Sequence, residues 1–298
     1  MMDLDKLVCR PALPQDTRDI LDLTSHIWEG HDYIPLVWND WLKDEQGLLA
    51  VALFGKRLVG MGKLTKLDEE DWWLEGLRVH PDYEGRGFAS HIHDYLLQIW
   101  HEIGNGVIRL TTSSQRLAVH HICQERGFQK VAEISSFSAK TNSSQNIPDQ
   151  FHRVTEAEFN HAWAYASNNP LQTYWPGFMD LGWQWLPLRA PMLLRFIQNG
   201  KVFWWKDQQG LILLGEDTEE NEQAERFAVI RWLACDKDGL INCLQDIQSL
   251  AIDHGYPKIS WFAPLQPNIE QALMEAGFEN DWDFSLYLFE KWYNPAGK

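Results

Sequence analysis

From Leu77 to Ala89 the chain reads Leu77-Arg78-Val79-His80-Pro81-Asp82-Tyr83-Glu84-Gly85-Arg86-Gly87-Phe88-Ala89. A strand-like run meets a proline, and Gly-x-Gly then opens a long helical pattern. Glycines there permit backbone angles closed to other residues and leave amide N–H groups exposed. The first turn of the helix adds unpaired donors and a partial positive charge. Such a turn binds a phosphate or pyrophosphate with few basic side chains. Two familiar forms do not fit. The dinucleotide fingerprint G-x-G-x-x-G needs a third glycine where Ser90 stands, and the G-x-x-x-x-G-K-[ST] loop is absent. His91-x-His93 alternates faces on a helix, and His120 with Cys123 makes half of a tetrahedral set, so no metal is expected. No G-x-S-x-G elbow supports a serine hydrolase.

The elements that must position this turn follow from periodicity. Helical spacing predicts helices over Asp16–Trp28 and Leu36–Leu42, then a strand pair, Leu48–Phe54 and Leu58–Leu64, joined by Gly55-Lys56-Arg57. A strand over Trp73–Val79 stops at Pro81. After the glycine turn come a helix (Gly87–Ile103), a strand (Val107–Thr111), a helix (Leu117–Glu125) and a strand (Gln129–Phe137). The polar segment Thr141–Gln150 reads as a linker. Beyond it the order returns: strands over Val202–Lys206, Leu211–Leu214 and Phe227–Leu233, helix Leu240–His254, strand Lys258–Phe262, helix Ile269–Glu275 and strand Phe284–Phe289. Ile108, Gly127-Phe128 and Phe137 recur at a nearly constant offset as Ile259, Gly277-Phe278 and Tyr287, which suggests an internal duplication. The segment Asn168–Phe196, rich in Trp and Pro, shows little regular period. The expected fold is α/β, a mixed sheet with flanking helices, built twice: a first domain over residues 1–140, a linker over 141–150 and a second domain over 151–298.

Composition narrows the function. The 298 residues carry 26 basic and 42 acidic side chains, a net charge of −16, which argues against nucleic acid or an anionic bilayer as partner. Apolar runs such as GLLAVALF are too short to span a membrane. The start of the sequence has no apolar run after a basic end, and Cys9, Cys123, Cys235 and Cys243 form no C-x-x-C pair. A reduced, cytoplasmic protein is expected. The turn between Phe227–Leu233 and Leu240–His254, Ala234-Cys235-Asp236-Lys237-Asp238-Gly239, has one glycine and two carboxylates where an anion would sit. The second copy is therefore expected to lack the anion site.

Glu84-Gly85-Arg86-Gly87-Phe88-Ala89, introduced by Val79-His80-Pro81-Asp82-Tyr83, resembles the acyl-coenzyme A signature [QR]-x-x-G-x-[GA] of the GCN5-related N-acetyltransferase (GNAT) superfamily. The resemblance covers residues 5–138 as a whole domain and 195–292 more faintly. It implies acetyl-coenzyme A as co-substrate, its pyrophosphate held by the amides of Gly85, Arg86, Gly87, Phe88 and Ala89. It also implies that the Leu77-Arg78-Val79 strand, through the amides of Leu77 and Val79, faces the pantetheine arm, which enters a splay between this strand and Val107–Thr111. Glu84 departs from the family's Gln or Arg and is expected to turn outward.

An amine must lose a proton before it attacks a thioester. Glu75 is the expected base: period 2 puts it on one face with Leu77 and Val79, and the resemblance implies a glutamate on this strand. Many relatives place a proton-donating tyrosine four residues before the Gly-Phe pair, and here that position is Cys123. The donor is left among His120, Cys123, Tyr33, water or none. For the acceptor, Glu29 and Asp32 could bind an ammonium, with Tyr33, Trp38 and Trp41 offering ring faces. Asp32-Tyr33-Ile34-Pro35, Trp41-Leu42 and Glu75–Val79 are similar to the histidine N-acetyltransferase-like branch of vertebrates. The expected function is acetyl transfer to the amino group of a small molecule, a free amino acid or amine, in a ternary complex. The alternative is an inactive acyl-coenzyme A sensor or interaction protein. The acceptor and a homodimer stay open.

Overall fold

The hairpin forms where the sequence places it, with Gly55-Lys56 as its turn; Arg57 already belongs to the second strand and pairs with Phe54. In a computed structural model that describes residues 6–141, 150–173, 175–219 and 224–294, the first elements are β1 (Leu7–Pro11), α1 (Thr17–Ser25), α2 (Ile34–Trp41), β2 (Leu48–Phe54), β3 (Arg57–Lys66), β4 (Asp71–Val79), α3 (Phe88–Ile103), β5 (Val107–Ser113) and α4 (Leu117–Glu125). Then follow β6 (Gln129–Lys140), β7 (Phe151–Arg153), α5 (Phe159–Ser167), β8 (Phe178–Asp180), β9 (Trp185–Pro187), α6 (Ala190–Gln198), β10 (Val202–Trp205), β11 (Gly210–Thr218), β12 (Arg226–Cys235), α7 (Leu240–Asp253), β13 (Lys258–Pro264), α8 (Pro267–Glu275), β14 (Glu279–Asn280) and β15 (Leu286–Trp292). Most of the expected linker, residues 142–149, lies outside the described residues.

The chain divides into two compact units. The first holds the described residues through Thr111, with Ala118–Gln129 and the chain from Phe289 onward; the second holds Thr112–Leu117 and Lys130–Leu288. These differ from the consecutive segments 1–140 and 151–298. Residues 130–140 fall in the second unit because β6 makes an antiparallel ladder with β13 from Lys140↔Lys258 to Ile134↔Pro264. Phe289 onward falls in the first, where Tyr293 N–H donates to Gly106 C=O at 2.8 Å and the Tyr293 ring meets Trp100 edge-on.

In the first unit the strand order is β1-β2-β3-β4-β5, antiparallel except for the parallel β4–β5 pair. Ile20, Leu23, Ile34 and Trp38 from α1 and α2 pack on one face against Leu49, Val51, Leu58 and Met61. On the other face Gly60 and Gly62 of β3 leave room for Ile92 and Leu96 of α3, whose methyl groups would lie under 3.0 Å from an added Cβ. A close helix–sheet approach requires glycine at both positions.

In the second unit the order is β6-β13-β12-β11-β10-β7, with β12 and β13 parallel at Ala228–Ile230 and Ile259–Trp261. Its core joins Phe137 and Ala139 of β6 to Ile212, Ile230, Leu244, Ile259 and Leu273. The stretch Asn168–Phe196 is more regular than its composition suggests: β8 and β9 pair, and α6 starts with Pro191 in its first turn, where a proline fits a helix rather than breaking it. Among the described residues no helix is long and apolar enough to cross a membrane, and no group of His, Cys, Asp or Glu has the arrangement of a metal site.

Candidate active site

The centre of the first unit is β4, and two departures from a regular strand give it its shape. The first is a β-bulge. Glu75 pairs with Lys63 and Arg78 with Met61, so three steps on β4 oppose two on β3. Gly76 takes φ +63°, and the Trp41 ring fills the space where its Cβ would lie, 2.7 Å from the nearest carbon. The bulge corrects the period-2 expectation. Glu75 shares a face with Arg78, not with Leu77 and Val79; the Leu77 side chain lies on the α3 side, near Gly62.

The second departure is a splay. β4 and β5 pair only from Asp71↔Val107 to Trp73↔Arg109, and Leu74–Val79 run on beyond that ladder. At its base a buried ion cluster ties the strands. Arg109 Nη1 meets Asp71 at 2.6 Å and its Nε meets Glu290 at 3.1 Å. The sequence carried no signal for this cluster, because the three residues are far apart in the chain.

On the bulged face several groups converge. Asp32 accepts two hydrogen bonds from Arg78, from Nε at 2.8 Å and Nη2 at 3.1 Å, and one from the Ile34 N–H at 3.2 Å. Arg78 lies over the Trp28 ring at 4.3 Å and the Tyr33 ring at 5.4 Å. Glu75 accepts from the Thr65 hydroxyl at 2.5 Å. Burial pushes the Tyr33 hydroxyl above its ordinary range; Arg78 opposes the shift, while Glu75 and Asp32 add to it. Tyr33 therefore carries its proton at neutral pH. The sequence alone does not mark Trp28 as an acceptor residue. Its exposed ring and left-handed backbone (φ +48°) mark it only once the fold is known.

The glycine turn lies beyond β4. A 3-10 turn over Pro81–Tyr83 leads to Glu84, then Gly85 at φ +68° and Gly87 at φ +82°, the residue that caps α3. Glu84, Gly85, Arg86 and Gly87 are exposed, and a Cβ at Gly85 would meet nothing within 4 Å. The approach to these amides is open, and their donors fit an anionic group. Phe88 is buried and stacks on Tyr83 at 5.7 Å, which fixes the turn on the core. Arg57 and Arg86 lie over Tyr83 at 5.4 and 5.5 Å. Arg57 also reaches His80 Nε2 at 3.0 Å, so β3 brings a second guanidinium that the local motif did not show.

Not every expected residue joins this site. Trp38 is 1% exposed and its Nε1 donates to the Thr17 hydroxyl, so it belongs to the core rather than to an acceptor pocket. Cys123 is fully buried, and burial pushes its thiol up to about 12, which removes it as a proton donor to a ligand. His120 is half-buried beside Phe289, at 5.8 Å between ring centres. Glu29 is exposed with φ +57°. Asp32 has its oxygens engaged by Arg78 and Ile34, so it orients Arg78 instead of offering a vacant carboxylate to an ammonium.

Residues 15–128 match the sequence profile of the acetyltransferase (GNAT) family. A GCN5-related N-acetyltransferase from Sphaerobacter thermophilus superposes with a TM-score of 0.62 at 12% identity, over 98% of this chain and 97% of that one. The chain has the GNAT fold. The family match covers residues 15–128 of the 298, and the likeness to the solved structure is one of fold. A tandem GNAT protein from the clavulanic acid biosynthesis pathway gives a TM-score of 0.58 at 10% identity, over 97% of this chain and 99% of its own. Among curated relatives, a histidine N-acetyltransferase from Oreochromis niloticus is 29% identical over 80 residues. That match spans 26% of this chain and about a quarter of the relative, 24% of its length. The bulge and the splay share the second half of β4, and the glycine turn follows its C-terminal end.

Proposed function

We propose that the protein is an acetyl-coenzyme A dependent N-acetyltransferase whose acceptor is the amino group of a small molecule, a free amino acid or amine. The observation that carries the reading is the union, on one strand, of an open glycine turn, a splay from β5 and a carboxylate on the bulged face. Acetyl-coenzyme A supplies the activated acetyl group. The amides of Gly85 to Ala89 hold its pyrophosphate, with Arg57 and Arg86 adding charge beside them. Glu75, oriented by Thr65, receives the proton of the acceptor ammonium. Tyr33 is the proton donor on the same face, and Trp28 and Tyr33 give the acceptor ring faces. The free amino acid reading draws on the histidine N-acetyltransferase relatives.

We also infer that the two units descend from one duplicated domain, of which the second has lost the cofactor turn. Each has a bulged strand with a short parallel ladder, and each pairs an arginine of that strand with a buried aspartate: Arg78 with Asp32, Arg231 with Asp180 at 2.6 Å. The test is thiol release from acetyl-coenzyme A across a panel of amino acids and amines, with Glu75→Gln alongside. Turnover that falls at least tenfold in Glu75→Gln with cofactor affinity retained supports the assignment. Binding without turnover on every acceptor returns the sensor reading.

A further inference from the structure

A second cluster of rings lies in the second unit. Trp183, in the turn between β8 and β9, has a left-handed backbone (φ +67°) and is 54% exposed. That conformation is unfavourable for a residue with a large side chain. Buried Asp180 holds the turn in place: its Oδ1 accepts the Gly182 N–H at 2.7 Å and its Oδ2 the Arg231 Nη1 at 2.6 Å. The result is an indole kept out of the core. One side of it stacks on Trp282 at 5.6 Å and 21°, and Trp282 stacks on Phe284 at 4.9 Å and 6°. Phe262 closes the group at 5.3 Å from Trp183.

The charged residues beside Trp282 in the chain are acidic, and Arg231, at the Trp183 turn, is paired with Asp180. Asp281 and Asp283 flank Trp282 in the chain and both are exposed. Asp281 is fixed by the hydroxyls of Ser136 and Ser138 at 2.7 and 2.5 Å, and the backbone N–H of Trp282 donates to the Asn280 side-chain oxygen at 3.0 Å. No Lys or Arg occurs from Asn280 to Phe284 or from Leu181 to Trp185. An indole face attracts a cation through its ring quadrupole, and nearby carboxylates add to the attraction. A planar cation can also continue the stack, which a compact ammonium cannot.

We propose that Trp183, Trp282 and Phe284, with Asp281 and Asp283, form a binding site for the guanidinium group of a small organic cation. The site is independent of the glycine turn and of the acetyl-transfer reading. It is tested on the full chain by calorimetric titration with L-argininamide at low salt, beside L-citrullinamide, which has nearly the same shape without the guanidinium charge. The expected result is saturable binding of argininamide, at least several-fold weaker for citrullinamide. Trp183→Ala should weaken it about tenfold, Trp183→Phe less, and Asp283→Asn a few-fold. Trp292→Ala, an exposed tryptophan of the first unit, should leave it unchanged. Absence of heat with argininamide overturns the proposal. So does equal affinity for the neutral isostere, or full affinity in both Trp183 variants.

Discussion

After β4 the chain passes through Gly85 and Gly87, both left-handed, into α3; after β12 it passes through Asp236, Lys237 and Asp238 to Gly239, at φ −89°, and into α7. Both turns leave a bulged strand that begins with a short parallel ladder. The first offers exposed amides and two nearby guanidinium groups. The second lines a cavity of about 730 Å³ with two carboxylates, one lysine, Trp205 and Gln209. A fold of this kind supplies a place for an anion, and a few residues of the turn decide whether the place is used. With no left-handed glycine the amides of the second turn are not gathered toward one point, and its carboxylates repel a phosphate.

The sharpest structural contrast lies at the start of the two parallel ladders. In the first unit it is ionic, buried Asp71 and Arg109 with half-buried Glu290; in the second it is apolar, with Ala228, Ile230 and Ile259 fully buried. Removing one member of a buried ion cluster strands its partners. Arg109→Ala is expected to cost about 3–5 kcal/mol in chemical denaturation. A loss under about 1 kcal/mol would mean that water screens the cluster, and the contrast between the ladders would vanish.

The helices that follow the turns differ in the same spirit. On α7, Asp246 is buried but accepts Trp205 Nε1 at 2.8 Å and Lys206 at 3.2 Å. On α3, His93 is 3% exposed and neither ring nitrogen has a hydrogen-bond partner among the described residues. Burial lowers it to about 4, with Arg126 and Lys291 pushing the same way and Asp94 opposing. The unfolded chain takes this proton near pH 6.5 while the folded chain refuses it until about 4. Stability is therefore unaffected by His93 above pH 6.5 and falls as the pH drops through this window, by on the order of 3 kcal/mol. In His93→Leu that acid-side loss should disappear from denaturation curves taken between pH 7 and 4. An unchanged pH slope would show that the proton enters elsewhere.

How far the sequence spoke for these differences depends on the range of the interaction. Gly85, Gly87 and the acidic second turn were legible because turn chemistry is local: a residue's own backbone preference decides it. The helices and strands around them were legible from apolar period. The bulge at Gly76 was not, since one extra residue is invisible until the partner strand is known, and it moved Glu75 to the face of Arg78. Trp38 and Cys123 misled for a related reason: spacing tells which face a side chain takes, not whether that face meets a ligand or the core. The assignment of Phe289 onward to the first unit rests on contacts separated by most of the chain, such as Arg109 with Glu290.

Gly87 bears directly on the difference between the turns. An L side chain in the left-handed region costs ~1–2 kcal/mol, so Gly87→Ala either destabilises the protein by that amount or flips the turn toward the conformation of Gly239. Calorimetry with acetyl-coenzyme A should then show binding weakened about tenfold or more, from one molecule per chain in the unaltered protein. Two molecules per chain would return the second turn to service and undo the contrast.

The smallest expected effect concerns Glu84, the carboxylate directly before Gly85, which is exposed. An exposed charge near a ligand acts through solvent and is screened by salt, so its removal is worth ~0.2–1 kcal/mol. Glu84→Gln should tighten acetyl-coenzyme A by about two- to threefold at low ionic strength, and the gain should fade as salt is added. A gain of about tenfold or more that survives high salt would mean that the carboxylate faces the pyrophosphate at close range. The first turn would then differ from the second only in degree, one inward acid against two, and the glycines rather than the charges would have to account for the whole of the difference between them.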